Sequence, residues 1–295
     1  MPRLPAECGQ ATVLFALAAV AVLSVASLSL DAGRAYIKTQ QLKTAADAAA
    51  LAGGQLLPQD PADAKATAIG TAVANGVPSQ DVQAQVNQSG TVITVSTAGG
   101  IPYYFAPLFG VDSGSFQQTS AVEVGPISQV TGAVPLGVIW NNFSYGHSYL
   151  LKAGGGEGSD GNYGLLALGG TGGHNLSQNL QNGYQTALQV GEDVLTEPGN
   201  KFGPTIQSGL SARLAAGDGY TYTTVPLYSP AVVDVPIIAP PANGRTDTTI
   251  LGFAAFFLQS VDSKGDVWGV FLNAVESGEF GGGESYGLQA ERLIQ

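Results

Sequence analysis

The sequence predicts an α+β protein with a long N-terminal transmembrane helix, a small α+β head and a mostly β C-terminal domain with helical insertions. Three observations carry this prediction: an uncharged stretch at residues 11–30, a helix–strand–strand–helix–strand order in residues 58–128, and short apolar runs between glycines after about residue 131. The predicted division is 1–57 for the membrane helix and stalk, 58–128 for the head and 129–295 for the C-terminal domain.

The N-terminal apolar segment, ATVLFALAAVAVLSVASLSL at residues 11–30, has the length of a membrane span. Twenty helical residues cover roughly 30 Å, the thickness of the hydrocarbon core of a bilayer. Two alternatives stay open: a cleaved secretory signal, whose Ala-x-Ala candidates lie only near residues 48–52, and a buried core helix. An uncleaved anchor is favoured because no small-residue cleavage site follows the apolar run closely.

The helix is predicted to continue beyond the membrane as a stalk. Residues 31–52 contain no proline and are rich in Ala, Gln, Lys and Leu, which are good helix formers. Gly53, Gly54 and Pro58 should end the helix. The stalk alanines could allow close packing against a partner helix, or the stalk could pack on its own head. The sequence leaves both alternatives open.

The head is predicted from local signals. Asp60 should cap a helix that starts with Pro61 and closes at Asn75-Gly76. Two strands, 81–86 and 91–97, are separated by a short polar loop and therefore predict a hairpin. A short apolar helix at residues 103–109 and a third strand at residues 116–124 complete the head.

The C-terminal domain is predicted from short apolar runs and two helical patterns. The strand candidates are residues 134–140, 148–152, 232–238, 248–258 and 267–273. The helix candidates are residues 175–184 and 204–214. This pattern predicts a mostly β domain with helical insertions.

The charge of the chain excludes some partners. The formal net charge is −11, with four basic and three acidic residues before residue 51 and seven basic and nineteen acidic residues after it. The strongly acidic part of the chain after residue 50 repels phosphate backbones, which argues against nucleic-acid binding. Cys8 is the only cysteine, so an intramolecular disulfide and a thiolate metal cluster are excluded.

Three N-terminal motifs occur in order. They are Glu7-Cys8-Gly9-Gln10 before the apolar segment, Asp31-Ala32-Gly33-Arg34-Ala35-Tyr36 after it, and the Ala-rich block at residues 42–52. Together they resemble the N-terminal segment of TadE/TadG-like Flp (tight adherence) pilus-assembly proteins. The motif residues are Gly9, Gln10, Asp31, Gly33, Arg34, Tyr36, Ala46, Asp47 and Ala48.

The resemblance implies a pilin-like head and a structural or assembly role at the bacterial cell envelope. It also implies a short cytoplasmic N-terminus, an extracytoplasmic C-terminal domain, and the membrane and other pilus or secretion-system proteins as partners. Helix-mediated self-association or association with other proteins is a further expectation. Charge alone leaves the orientation open, because Arg34, Lys38 and Lys43 follow the apolar segment whereas Arg3 precedes it.

The sequence departs from the prepilin pattern at one position. Prepilins carry a Glu five residues after the scissile Gly, and Leu14 occupies that place if Gly9 is the scissile residue. Cleavage after Gly9 is therefore not predicted. A von Willebrand-type domain is not predicted either, because the chain has no Asp-x-Ser-x-Ser motif.

The sequence predicts neither an enzyme nor a cofactor. A weak Ca²⁺ candidate is formed by Glu157, Asp160 and Asn162, in a Gly-rich loop that lacks the full spacing of a calcium loop. The same loop matches G-x-G-x-x-G without the helix that a dinucleotide site requires. Other weak candidates are Ser113 with His147 or His174 as a base, and the acidic group Glu192, Asp193 and Glu197. The alternative functions are an anchored enzyme acting on cell-wall polymers and an ion-dependent binding module.

Overall fold

A computed structural model describes residues 8–57, 59–152, 164–197, 204–242, 244–262, 265–281 and 283–294. The α-helices are α1 (Cys8–Gly54), α2 (Pro61–Ala74), α3 (Gly173–Asn182) and α4 (Pro204–Ala216). The strands are β1 (Val82–Val86), β2 (Val92–Pro102), β3 (Ser113–Pro126), β4 (Gln129–Val130), β5 (Val138–Ile139), β6 (Ser148–Lys152), β7 (Leu188–Gln189), β8 (Asp193–Leu195), β9 (Val232–Ile238), β10 (Asp247–Val261), β11 (Val267–Leu272), β12 (Ala274–Ser277) and β13 (Leu288–Ile294). The predicted α+β class is confirmed.

Helix α1 has two halves in different environments. Its apolar half, residues 11–30, is the one segment among the described residues that is long and apolar enough to cross a membrane, and the rest of the described chain leaves it uncovered. The hydroxyls of Ser24, Ser27 and Ser29 donate to backbone carbonyls four residues earlier. These polar groups are thereby satisfied within the helix, as an apolar medium requires.

The packed half of α1, residues 31–54, lies on one face of a five-stranded sheet. That sheet has the order β1-β2-β3-β13-β12, and α2 packs beside α1 on the same face. We call the packed half, α2 and this sheet the head. The predicted N-terminal cap of α2 is confirmed, since the Asp60 side chain accepts hydrogen bonds from the N–H groups of Ala62 and Asp63.

Small residues let α1 approach its neighbours in the head. Fully buried alanines line both helices: Ala45, Ala46, Ala49 and Ala50 in α1, and Ala64, Ala68 and Ala72 in α2. A Cβ on Gly53 would lie 2.6 Å from Ile93 Cδ1 and 2.8 Å from the Ala64 carbonyl oxygen. The buried stalk alanines therefore pack on the chain's own head.

A six-stranded sheet forms the body together with α3 and α4. Its order is β5-β9-β10-β11-β6, and the short β8 pairs with one end of β10. The core strands β9, β10 and β11 are buried almost continuously, as expected of a sheet covered on both faces. Helices α3 and α4 pack on each other, and their apolar side chains join one core cluster with residues of the sheet.

The C-terminal strands return to the head. After β11 the chain enters β12, which runs parallel to β13, and β13 pairs antiparallel with β3. The core on the other side of the body sheet combines Phe253 and Phe257 of β10 with Leu288 and Ala290 of β13. The division into 1–57, 58–128 and 129–295 stays a prediction, and it does not include this return.

Most predicted elements are present, with one clear correction. The β1–β2 hairpin and the helices at α2, α3 and α4 are confirmed. The predicted strand at 134–140 is wrong over most of its length, since only Val138–Ile139 is a strand. The preceding backbone N–H groups bond in different directions, with Val134 donating to Asp234 and Gly137 to Gly164, and Pro135 has no N–H to donate.

Candidate functional site

Asp31 lies where the apolar half of α1 meets the head. It directly follows Leu30, the last residue of the uncharged segment, and its side chain is almost fully buried. Its two carboxylate oxygens accept hydrogen bonds of 2.8 Å each from the backbone N–H groups of Tyr104, Phe105 and Ala106. Such charge-assisted bonds are stronger than neutral ones. Asp31 therefore docks the connection between β2 and β3 onto the helix.

The direction of β2 brings this connection to Asp31. Thr97 Oγ1 donates to the Leu42 carbonyl at 3.0 Å, and further along the strand Gly99 lies against the Lys38 side chain. As β2 advances, its partners on α1 move toward the N-terminus. We call residues 103–111, between β2 and β3, the tip; it reaches the helix at the end of the apolar half.

The surroundings of Asp31 keep it charged. Burial by itself raises the pKa of Asp31, but the N–H donors of Tyr104, Ala106 and Phe105 and the nearby Arg34 lower it more. The resulting pKa lies below the ordinary value of an aspartate. The carboxylate is therefore ionised at neutral pH and acts as a hydrogen-bond acceptor for the tip.

Arg34 forms a second connection to the same segment. Its Nη1 donates to the Pro102 carbonyl at 2.7 Å, and its guanidinium carbon lies 3.9 Å from the centre of the Tyr104 ring. The second contact has the geometry of a cation–π interaction. The Asp-x-Gly-Arg spacing places both side chains on neighbouring helical positions, three residues apart, so one motif holds the start of the connection, residues 102–106.

The remaining motif residues have diverse positions. Gly9 and Gln10 belong to the first turn of α1, and a Cβ at Gly33 would meet no atom within 4 Å. Tyr36 is exposed, whereas Ala46 is fully buried in the head. Asp47 forms an ion pair of 2.9 Å with Lys43, and Ala48 is half-buried.

A second arrangement of ionisable groups lies inside the molecule. The pKa of Asp234, on β9, is raised to about 7 by burial and by the charge of Glu276, whereas Arg213 lowers it. Burial also raises the pKa of Glu276, which lines a cavity of about 270 Å³. Asp234 Oδ1 is buried without a hydrogen-bond partner among the described residues. No sequence motif predicted this pair, although a single acid in the apolar strand VVDVPII was a signal.

The weak sequence candidates lie on different elements. Ser113 begins β3 in the head, while His147 precedes β6 and His174 lies in α3. Glu192 accepts from the Gln189 N–H, and Asp193 accepts from the Thr249 hydroxyl.

Glu197 is also held separately, since it is buried and pairs with Arg245 at 3.4 Å. The Ca²⁺ candidate Glu157, Asp160 and Asn162 lies outside the described residues. Within the part of the chain that the structure describes, no group of three acidic, His or Cys side chains could hold a metal ion.

One known family matches part of the chain. Residues 9–56 match the family described as putative Flp pilus-assembly TadE/G-like. The matched range contains all nine motif residues, which confirms the resemblance for the N-terminal segment, and it stops before α2. No curated protein and no solved structure matches the chain.

Proposed function

Because residues 9–56 are a TadE/G-like segment, we propose that this chain is a single-pass membrane protein that serves Flp pilus assembly in a structural role. Its short N-terminus would be cytoplasmic, and its head and body would lie outside the cytoplasm. One observation carries the proposal: Asp31 and Arg34, both in the matched segment, hold the head directly on the end of the apolar half of α1. The motif thereby couples the anchor to the external part.

The distribution of surfaces on α1 supports an assembly role. The buried alanines of its packed half, Ala45, Ala46, Ala49 and Ala50, are used within the head, so they are not available to partner helices. The apolar half keeps exposed Leu, Val and Phe side chains along its length. In a bilayer, contacts with the helices of other envelope proteins would use this half.

The basic residues after the apolar half are compatible with an external head. Arg34 is engaged by Pro102 and Tyr104, and Lys43 is paired with Asp47. Large domains cross the membrane largely regardless of their charge, so the three basic residues do not oppose this orientation strongly. The acidic remainder of the chain also repels anionic lipid headgroups and nucleic acid.

Protease accessibility on intact cells tests the topology. With an epitope tag at the C-terminus, external protease should remove the tag and leave an N-terminal fragment in the membrane fraction. A protected tag would invert the proposed topology, and release of the full-length protein into the medium would exclude an uncleaved anchor.

An Asp31→Asn variant tests the assembly role. Removing the charge weakens the docking of the tip, so we expect fewer pili on cells at an unchanged protein level. Asp112→Asn, at an exposed position next to the tip, is the matched control and should leave pili unchanged. Normal piliation in a strain lacking the whole chain would contradict the proposal.

A second function has one observation in its favour. Asp234 and Glu276 are acids of raised pKa, and glycoside hydrolysis uses a pair in which one carboxyl of raised pKa keeps its proton while the other is ionised. An anchored enzyme acting on cell-wall polymers would release soluble sugar fragments from purified wall, and Glu276→Gln would abolish this release. Absence of release by the full-length protein in detergent, across acidic and neutral pH, would exclude the enzyme function.

A further inference from the structure

The tip between β2 and β3, residues 103–111, exposes apolar side chains beside the membrane anchor. We infer that this tip enters the interface of the bilayer leaflet through which α1 leaves the membrane. The protein would then contact the membrane at two places, the helix and the tip. This inference rests on the proposed anchoring of α1, and the lipid bilayer is the partner to which it commits.

The exposure and composition of the tip fit a lipid environment. Leu108 is 82% exposed, Tyr104 68%, Phe109 66% and Val111 50%. The eleven residues 101–111 contain no charged side chain. An apolar patch of this kind marks an interaction site on a chain that carries nineteen acidic and seven basic residues beyond residue 50.

The position of the tip selects the membrane as the partner. The carboxylate of Asp31 holds Tyr104, Phe105 and Ala106 one residue beyond the apolar half. Helical side chains lean toward the N-terminus of their helix, so this contact lies at the height of the last apolar turn. Leu108 and Phe109 follow the docked residues in the chain, and their exposed side chains are therefore placed beside the bilayer.

The aromatic residues near Asp31 agree with this height. Tyr36 on α1 is exposed, and Tyr104 lies beside Arg34 at the base of the tip. Tyrosines are enriched where a protein passes from hydrocarbon to water, because the ring and the hydroxyl prefer different sides. Tyr36 and Tyr104 would form such a belt, with Leu108 and Phe109 extending below it.

Most backbone N–H groups of the tip already have an acceptor within the protein, which favours entry into an apolar medium. The N–H of Tyr103 donates to the Asp112 carbonyl, and Asp31 binds the next three N–H groups. The Leu108 N–H donates to Phe105 at 3.1 Å, and that of Val111 donates to Ala106 at 3.2 Å. Gly110 closes the turn at φ +83°, a conformation that favours glycine.

Depth-dependent quenching tests the inference on the full-length chain. Cys8→Ser removes the single cysteine, and Leu108→Cys then carries an environment-sensitive fluorophore in vesicles of phosphatidylcholine and phosphatidylglycerol. We expect a blue-shifted emission that a shallow nitroxide lipid quenches more than a deep one. Adding Asp31→Asn should reduce this quenching, because the tip is held less firmly on α1.

Two reference positions separate the possible failures. Val20→Cys lies in the apolar half and should be quenched by the deep nitroxide, whereas Leu227→Cys is exposed in the body and should be quenched by neither. An unquenched tip together with a quenched Val20→Cys overturns the inference and leaves the anchor in place. An unquenched Val20→Cys instead contradicts the proposed function. A tip shielded from aqueous iodide but unaffected by both nitroxides is covered by protein, which also overturns the inference.

Discussion

The head and the body each place an aspartate inside the protein, but with opposite consequences. Asp31 in the head accepts three backbone N–H groups, which lower its pKa, whereas Asp234 in the body has an oxygen without a partner among the described residues and a pKa raised to about 7. The Asp31 carboxyl stays ionised near neutral pH and holds the tip on α1. The Asp234 carboxyl changes its charge near neutral pH.

The two regions also differ in how they fill their cores. The head packs two helices through alanine and glycine, so its backbones lie close together. The body uses large aromatic side chains, among which Phe256 and Phe271 have ring centroids 5.5 Å apart and Phe271 contacts Trp140 at 6.1 Å. Added side-chain volume should therefore destabilise the head more than an added charge would. The body, which contains Asp234, should be sensitive to pH.

The largest expected effect is a loss of body stability as the pH rises. The folded state keeps a proton on Asp234 between its unfolded pKa near 3.8 and its folded pKa of about 7, whereas the unfolded chain has released it. Stability therefore falls through this window, by up to about 4 kcal/mol, and stays low above it. Urea unfolding in detergent, followed by tryptophan fluorescence at pH 4.5 and 7.5, measures the change.

An Asp234→Asn variant removes this titration. Its stability should be nearly independent of pH over the same window and should exceed that of the parent protein at pH 7.5. The exposed Asp112→Asn serves as control and should keep the parental pH dependence. If Asp234→Asn followed the parental curve, the contrast between the two aspartates would be lost.

The next effect concerns added volume in the two halves of α1. Ala49→Leu inserts three carbons at a fully buried position of the packed half, and overpacking of this kind costs about 2–3 kcal/mol. Ala18→Leu makes the same change in the exposed apolar half and should cost nothing measurable. Hydrogen exchange of the β2 and β3 amides in detergent compares the variants. Equal protection in both would mean that the packed half is not held on the head.

A smaller effect distinguishes two glycines of the same helix. Gly53→Ala brings a Cβ within 2.8 Å of the Ala64 carbonyl and should destabilise the head by about 1–2 kcal/mol. Gly33→Ala meets open space and should stabilise the helix by up to about 1 kcal/mol, because alanine is the better helix former. Thermal unfolding by circular dichroism gives both signs. A Gly33→Ala protein that is stable but does not support pili would assign Gly33 to a partner contact.

Local sequence signals were sufficient for much of the head. Asp60-Pro61 predicted the start of α2, and the polar loop at residues 87–90 predicted the β1–β2 hairpin, because capping and turn formation depend on neighbours in the chain. The uninterrupted run of helix-forming residues likewise predicted α1. The Asp-x-Gly-Arg motif was recognised as a motif, but its role was not predicted, since its partners lie about seventy residues away.

Long-range pairing explains what the sequence did not reveal. Strand β13 has the polar sequence LQAERLI, which predicts no buried strand by itself, yet it pairs with β3 across about 165 residues. The strand prediction at residues 134–140 was wrong for a different reason. Val134, Leu136 and Val138 are buried, but the N–H groups of Val134 and Gly137 bond to separate segments, so hydrophobicity alone was misleading. The raised pKa of Asp234 likewise has long-range causes, namely burial in the folded protein and the charge of Glu276, from a strand of the other sheet.

The smallest expected effect lies where β13 enters the head. Arg292 on β13 and Glu123 on β3 form an ion pair of 2.7 Å on directly paired residues, with both side chains partly exposed. Exposed pairs contribute less than about 1 kcal/mol, so Glu123→Gln should lower stability by no more than that, and added salt should reduce the difference further. Urea unfolding at low and high salt measures it. A loss of several kcal/mol would mean that this ion pair, rather than the main-chain ladder of β3 and β13, holds the C-terminal strand in the head.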